Sequence, residues 1–74
     1  MLMQALKLWV IYWSPKKFAG MYVMREWIVD GARLLPGRAR SAFTLREART
    51  LIPAGAQNLG RCGPDDPVVV ETWI

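Results

Sequence analysis

The chain has no histidine and only one cysteine, Cys62, among its 74 residues. Because histidine is absent, the usual Ser-His and Cys-His nucleophile pairs cannot form. A single cysteine cannot make an internal disulfide or complete a zinc site with the usual nitrogen and sulfur ligands. We therefore predict that the protein is not an enzyme, and that it has no catalytic residues, no metal site and no cofactor.

A membrane span and a secretory signal are also missing from the sequence. The uninterrupted apolar run from Leu8 to Trp13 is far shorter than the roughly 20 residues that cross a bilayer. A secretory signal places basic residues before its apolar run and small residues after it, whereas here Lys7 lies inside the stretch and no small-residue site follows. The unpaired cysteine suits a reducing compartment. We predict a cytoplasmic protein without membrane association.

Apolar residues, in contrast, are plentiful for so short a chain. They make up 53% of the sequence and include four tryptophans. The length predicts one domain over residues 1–74, with residues 1–6 as a lead-in. A domain of this size buries only about 60% of the surface that its unfolded chain exposes. The excess of apolar side chains therefore predicts a protein partner or a homodimer.

Alternating apolar residues and turn signals predict an antiparallel sheet in the first half of the chain. Segments 7–13 and 21–29 are rich in β-branched and aromatic residues, and the turn segment SPKKFAG separates them. Asp30-Gly31 predicts a tight turn into a third strand that begins near Ala32. Pro36-Gly37 should bend this strand or place it on an edge, because proline cannot donate to a ladder. The sequence leaves open whether residues 32–43 form a strand or a loop.

The clearest predicted element is a short helix in TLREARTLIP, residues 44–53. Thr44 and Glu47 form a capping-box pattern, apolar residues recur on one side, and Pro53 and Gly55 end the helix. A short strand around residues 57–61 and a last strand over residues 68–73 complete the order β-β-β-α-(β)-β. The predicted fold class is α+β, a small antiparallel sheet of about four strands with one short helix packed on one face.

One helix covers one face of such a sheet, so the other face must meet water, a partner chain or a ligand. Alternation along the strands separates an aliphatic set from a set that holds all four tryptophans together with Arg25 and Glu71. The register between strands is not readable, so the tryptophan set could face the helix instead. We favour an exposed tryptophan face, because the two charges would be costly under a helix unless they paired with each other. The predicted partner-binding residues are Trp9, Trp13, Arg25, Trp27 and Trp73.

The loop before the last strand holds two weaker candidates. Cys62 follows Arg61, which could lower a thiol pKa, but no base accompanies it and we interpret it as an incidental loop residue. Asp65 and Asp66 are neighbours in sequence, so their side chains point apart, and they lack the further oxygen ligands of a calcium loop. We predict turn and capping roles for both carboxylates.

An arginine-rich segment supports an alternative function. The net charge is +4, and five arginines lie within seventeen residues that contain one acidic residue, Glu47. Arginine suits phosphate and carboxylate recognition, and tryptophans can stack on single-stranded nucleic acid. The alternative hypothesis is therefore nucleic-acid binding through Arg33, Arg38, Arg40, Arg46 and Arg49.

Three stretches of the chain resemble a group of small uncharacterised proteobacterial proteins: KLWVIYWSPKKFAGMYVMREW, TLREARTLIPAG and DDPVVVETWI. The group shares a W-V-I-Y opening strand, a T-L-x-E-A-R helix start and a D-D-P-V-x-V-E-T-W end. The resemblance covers most of residues 7–74 and implies the order of elements, but no activity and no site residues.

In size and style the chain is also similar to phage and mobile-element proteins that inhibit host machinery, anti-CRISPR proteins among them. The hypothesis that follows from the sequence is a non-catalytic protein-binding module that acts through its tryptophan-rich sheet face.

Overall fold

The computed structural model describes residues 6–61 and 67–74, which form an antiparallel sheet of five strands and one short α-helix. The spatial order of the strands is β3-β2-β1-β5-β4, and every neighbouring pair is antiparallel. The α+β fold class and the order of elements are confirmed. The elements are β1 (Leu6–Trp13), β2 (Tyr22–Asp30), β3 (Arg33–Ala42), α1 (Leu45–Thr50), β4 (Asn58–Gly60) and β5 (Val69–Trp73).

The first strand begins earlier than the sequence predicts. Leu6 pairs with Val29 at the start of β1, so it belongs to the sheet and not to a lead-in. Residues 1–5 lie outside the described residues. Strand β2 extends to Asp30, and the backbone groups on the β1 side of its last residues need a partner. Leu6 supplies one opposite Val29.

The predicted Asp30-Gly31 turn joins β2 to β3 as a two-residue hairpin. Asp30 pairs with Arg33 across the loop, and Gly31 has φ +61°. Glycine accepts this positive φ without steric cost, as hairpin turns require. Residues 33–42 therefore form a strand, which settles the choice between strand and loop.

Strand β3 lies on an edge of the sheet, as its proline predicts. Pro36 lies opposite Trp27, and the pairing shifts between Arg25 and Trp27 because β3 contains an extra residue there. A β-bulge of this kind bends an edge strand and weakens it as a template for another chain. Proline is tolerated at this position because an edge strand leaves one row of backbone groups unpaired.

Helix α1 has the predicted Thr44 cap, while Glu47 reaches back to Phe43, one residue before the cap, and the helix is shorter than the pattern suggests. The Thr44 Oγ1 accepts a hydrogen bond from the Glu47 backbone N–H at 3.1 Å, and the Glu47 Oε2 accepts one from the Phe43 backbone N–H at 3.2 Å. The helix ends at Thr50, with Leu51 as its C-cap. A helix of six residues is not stable alone, so α1 depends on its caps and on packing.

The core lies between α1 and one face of the sheet. Ala48 of α1 and Ile11 of β1 are both fully buried, and Met24, Ala42 and Ile52 complete the buried cluster. Alternation along β2 predicts that Tyr22, Met24 and Ile28 point inward. Met24 belongs to the buried cluster and Tyr22 packs against it, and Ile28 lies on the same face of β2 without belonging to the cluster.

The strand register contradicts the predicted grouping of the two sheet faces. Ile11 pairs with Met24, so Trp9, Ile11 and Trp13 of β1 share the helix-covered face with the Met24 set of β2. Alternation along the strands alone predicts that these three residues lie on the opposite face with Trp27, and this prediction is wrong. Residues directly opposite each other in an antiparallel pair share a face, and a shift of one position exchanges the faces. The connection between the strands sets this register, and alternation within each strand does not reveal it.

We expect Thr44→Ala to lower the free energy of unfolding by about 1 kcal/mol, because it removes the acceptor for an orphan amide of α1. Urea denaturation of the purified variant measures the loss. Thr44→Ser keeps the hydroxyl and is the matched control, with stability close to that of the wild-type chain. Equal loss in both variants would mean that the cap is not what stabilises α1.

Candidate functional site

The sheet face opposite α1 carries an apolar surface, which we call the open face. Most of its side chains are partly exposed, whereas Val10 and Val23 on it are buried. The register places on it side chains from β1, β2, β3 and β5. Its residues are Leu8, Val10, Tyr12, Val23, Arg25, Trp27, Leu34, Val69 and Thr72.

Two aromatic side chains form a ridge across the open face. The Trp27 Nε1–H donates a hydrogen bond to the Tyr12 hydroxyl at 2.9 Å. The two residues lie on either side of the row in which Val10 pairs with Arg25, and Val10 is only 9% exposed. The bond holds both rings in one orientation while leaving each partly exposed. A preset orientation lowers the side-chain entropy that binding would otherwise cost.

Shallow hollows lie on both sides of this ridge. One, of about 320 Å³, is apolar and is lined by Leu8, Val10, Leu34, Val69 and Thr72 together with the two ridge residues. The other, of about 340 Å³, lies against the turn between β1 and β2. Its lining includes Lys16, Lys17 and Arg25 and no carboxylate. Both hollows thus have largely apolar walls, and the second also carries three cations, so we call the two ends of the open face its apolar end and its cationic end.

Arg25 is held at the cationic end by two contacts. Its Nη1 donates a hydrogen bond to the Gly37 carbonyl at 3.2 Å, and its guanidinium carbon lies 5.8 Å from the centroid of the Trp27 ring. Cation–π contact of this kind orients a guanidinium without neutralising its charge. The remaining N–H donors of Arg25 are available to an anionic group of a ligand.

The five predicted partner-binding residues are divided between the two faces. Arg25 and Trp27 lie on the open face, as the sequence analysis expected. Trp9 and Trp73 are opposite each other on the helix-covered face and pack against the core, and the ring of Trp13 contacts Tyr22 with centroids 4.6 Å apart. A single face with all four tryptophans is therefore wrong, and the reason is the register described above.

The sequence analysis also missed the ridge partner Tyr12 and the apolar residues around it. Leu8, Leu34 and Val69 carry no motif, and they line the open face only because the register aligns them with Trp27. A covariation between Tyr12 and Trp27 across relatives is the kind of signal that could have identified the pair.

Glu71 is a buried charge on the helix-covered face, and it is paired with an arginine of α1. Its side chain is buried, and its carboxylate accepts four hydrogen bonds. Arg49 of α1 donates two of them, Nε to Oε1 at 2.7 Å and Nη2 to Oε2 at 3.0 Å. Asn58 Nδ2 donates to Oε2 and Trp73 Nε1 donates to Oε1, each at 3.1 Å. The partner of Glu71 is thus Arg49, and Arg25 lies on the other face.

The bidentate contact with Arg49 holds the pKa of Glu71 below its ordinary value of 4.5, because it stabilises the charged carboxylate. Burial opposes this lowering, and the donors from Asn58 and Trp73 add to it. The net direction is downward, so the carboxylate is charged at neutral pH.

The arginines of the alternative nucleic-acid hypothesis do not share one surface. Arg33 closes the β2–β3 hairpin, Arg46 is exposed on α1, and Arg49 is bound to Glu71. Arg38 and Arg40 of β3 line a separate cleft on the helix-covered side of the sheet. The structure therefore brings two of the five together.

The other candidates from the sequence are three residues between β4 and β5. Cys62, Asp65 and Asp66 lie outside the described residues. Within residues 6–61 and 67–74, no group of three or more potential metal ligands occurs. Over the same ranges, no helix has the length and hydrophobicity needed to cross a membrane.

Comparison of the chain with protein families, curated proteins and solved structures finds no match. The resemblance to small proteobacterial proteins accordingly stays a prediction.

We expect Glu71→Gln to lower the free energy of unfolding by about 1–3 kcal/mol at neutral pH, since it weakens charge-assisted hydrogen bonds to a buried group. The pKa of Glu71 is lower in the folded than in the unfolded chain. The stabilisation is therefore fully present well above pH 4.5 and is lost as the pH falls through the folded-state pKa. Urea titrations from neutral to acidic pH measure the difference between the two proteins.

The difference between wild type and Glu71→Gln should shrink below pH 4.5. Asp30→Asn, which removes an exposed carboxylate at the hairpin, is the matched control and should change stability little. A difference that persists undiminished in acid would contradict the assigned role of the charged carboxylate.

Proposed function

We propose that the protein is a non-catalytic binding module whose open face docks on an acidic surface of another protein. The observation that carries this proposal is the Tyr12–Trp27 ridge, a hydrogen-bonded aromatic pair that lies between two hollows on the sheet face opposite α1. Tryptophan, tyrosine and arginine are the residues most enriched among those that dominate binding energy at protein interfaces.

The fixed orientation of side chains on the open face supports binding to a protein. Its aromatic ridge is preset by the Tyr12–Trp27 bond, and Arg25 is oriented by Gly37 and the Trp27 ring. Interfaces of this kind combine a desolvated aromatic centre with a polar margin. Here Leu8, Leu34 and Val69 would be desolvated at one end, while charged groups stay hydrated at the other.

Charge favours a partner of opposite sign over a second copy of this chain. The cationic end of the open face carries Lys16, Lys17 and Arg25, and neither hollow is lined by a carboxylate. In a dimer formed through this face, the cations of one copy would contact apolar or cationic groups of the other copy. A partner with Asp or Glu beside an apolar projection would complement both ends, and its approach would be accelerated by long-range attraction.

A small binding module without a reaction of its own acts by occupying a surface of its partner. Stoichiometric inhibition of a host machine, as with phage-borne inhibitors of similar size, is one form of such activity, and a cytoplasmic location agrees with it. The alternative of nucleic-acid binding through the whole segment from Arg33 to Arg49 is less well supported, because Arg49 is neutralised by Glu71 and Arg33 is far along the hairpin.

The proposal predicts that Leu34→Lys weakens partner binding without loss of the fold. Leu34 is 56% exposed, so lysine can be accommodated, but it would bury a charge in the apolar end of the interface. A photo-crosslinking residue at position 34, used in an extract of the source cells, identifies the partner. Binding of the purified partner is then measured by calorimetry.

We expect Leu34→Lys to weaken binding at least tenfold, which corresponds to the loss of about 1.4 kcal/mol. Arg25→Gln should weaken it and also reduce its dependence on salt. Phe43→Lys is the matched control, because Phe43 is 77% exposed and lines neither hollow, and it should bind normally. A folded Leu34→Lys protein with unchanged affinity would refute the proposal, and a homodimer that this variant disrupts would replace the acidic partner with a second copy.

A further inference from the structure

The helix-covered side of the sheet has a second feature, which we call the basic cleft. It has a volume of about 390 Å³ and lies beyond the end of α1, on the other side of the sheet from the open face. Three cationic side chains, one carboxylate and four largely apolar residues line it. These are Lys7, Arg38 and Arg40, then Glu26, and finally Trp9, Met24, Leu51 and Pro53.

The convergence of the cations follows from strand geometry. Arg38 and Arg40 are two positions apart on β3, and Arg40 pairs with Met24, which lies in the core under α1. Side chains two positions apart point to the same face of a sheet. Lys7 of β1 lies opposite Ile28, two positions along β2 from Glu26, so it lines the cleft from the same face of the sheet. Residues after α1 supply the apolar wall, so the cleft is built from three separate parts of the chain.

The charges in the cleft are not balanced. Lys7 Nζ lies 3.8 Å from Glu26 Oε2, a long and half-exposed ion pair. Arg38 and Arg40 have no ion-pair or side-chain hydrogen-bond partner among the described residues. One carboxylate therefore faces three cations, and two guanidinium groups remain available for an anion.

Glu26 is positioned by the β-bulge at the edge of the cleft. A Cβ atom placed on Gly37 would lie 2.8 Å from Glu26 Oε1 and 3.0 Å from its backbone oxygen. The absence of a side chain at Gly37 thus lets the carboxylate lie against the backbone of β3. In this position Glu26 neutralises Lys7 and leaves the arginines free, but it also opposes any bound anion.

We propose that the basic cleft binds the phosphate group of a small organic molecule. Arg38 and Arg40 would hold the phosphate, because guanidinium groups match phosphate oxygens in geometry and charge. Trp9, Leu51 and Pro53 would contact the organic part of the ligand. The volume lies within the range of about 300–1,000 Å³ that is usual for small-molecule sites. This inference does not depend on the proposed protein interface, which lies on the opposite face.

Adenosine monophosphate is the probe, with inorganic phosphate and adenosine as the two partial ligands. Calorimetry at low salt measures the affinity of the full-length chain for each. We expect the monophosphate to bind at least tenfold more tightly than either part, because it engages both the arginines and the apolar wall. Equal affinity for inorganic phosphate would show that the cleft attracts anions only and would overturn the proposal.

Charge variants test whether this cleft is the site. Arg38→Gln and Arg40→Gln should each weaken monophosphate binding about tenfold or more, the effect of losing a charge-assisted hydrogen bond. Glu26→Gln should strengthen it several-fold, since it removes a repelling carboxylate. Arg46→Gln changes the net charge equally on exposed α1 and should leave the affinity unchanged. Circular dichroism confirms that each variant is folded.

Three results would contradict the inference. The first is no detectable monophosphate binding to the wild-type protein at low salt. The second is equal weakening by Arg46→Gln and Arg40→Gln, which would indicate attraction to the net charge of the protein. The third is much tighter binding of a short single-stranded oligonucleotide that is sensitive to Arg33→Gln and Arg46→Gln, which would identify a nucleic-acid surface instead.

Discussion

The buried carboxylate of Glu71 is the constraint on which the rest of this small fold depends. It lies on β5 and accepts hydrogen bonds from Arg49 of α1, from Asn58 of β4 and from Trp73 of its own strand. The group thus connects the only α-helix of the described residues to the sheet and attaches the shortest strand at its edge. A buried charge is costly unless it is paired and fully hydrogen-bonded, and here every oxygen has two donors. Since no disulfide is available, such polar connections and the Ala48–Ile11 core hold the helix in place.

Fixing the helix on one face determines what remains for binding. Helix α1 packs on one face of the sheet only. The opposite face therefore keeps the Tyr12–Trp27 ridge partly exposed. On the helix side, α1 packs on β2 and β3, and the basic cleft lies beyond the end of the helix on the same strands and β1. Both candidate sites are therefore consequences of a short helix on a wider sheet. They differ in character because the Tyr12–Trp27 pair and aliphatic groups dominate the open face, whereas Arg38 and Arg40 of β3 converge with Lys7 in the basic cleft.

Local features of this protein could be predicted from sequence because they are local in their physics. The Thr44–Glu47 capping box, the Asp30-Gly31 hairpin and the edge position of the strand with Pro36 each depend on the conformational preferences of a few adjacent residues. The candidate site was predictable only in part. Arg25 and Trp27 could be predicted because arginine and tryptophan are typical of binding surfaces, whereas no pattern in the sequence singled out Tyr12.

The sequence by itself determined the α+β class, the order of the elements and the lack of histidine chemistry. It also determined the surplus of apolar and basic side chains, which predicts that the protein binds a partner or a ligand. Only the tertiary structure decided which side chains share a face, because the register between β1 and β2 is a property of two strands together, and a shift of one residue exchanges every side chain between the faces. The register also places Arg25 and Glu71 on opposite faces of the sheet. The buried carboxylate therefore pairs with Arg49, twenty-two positions away in the chain.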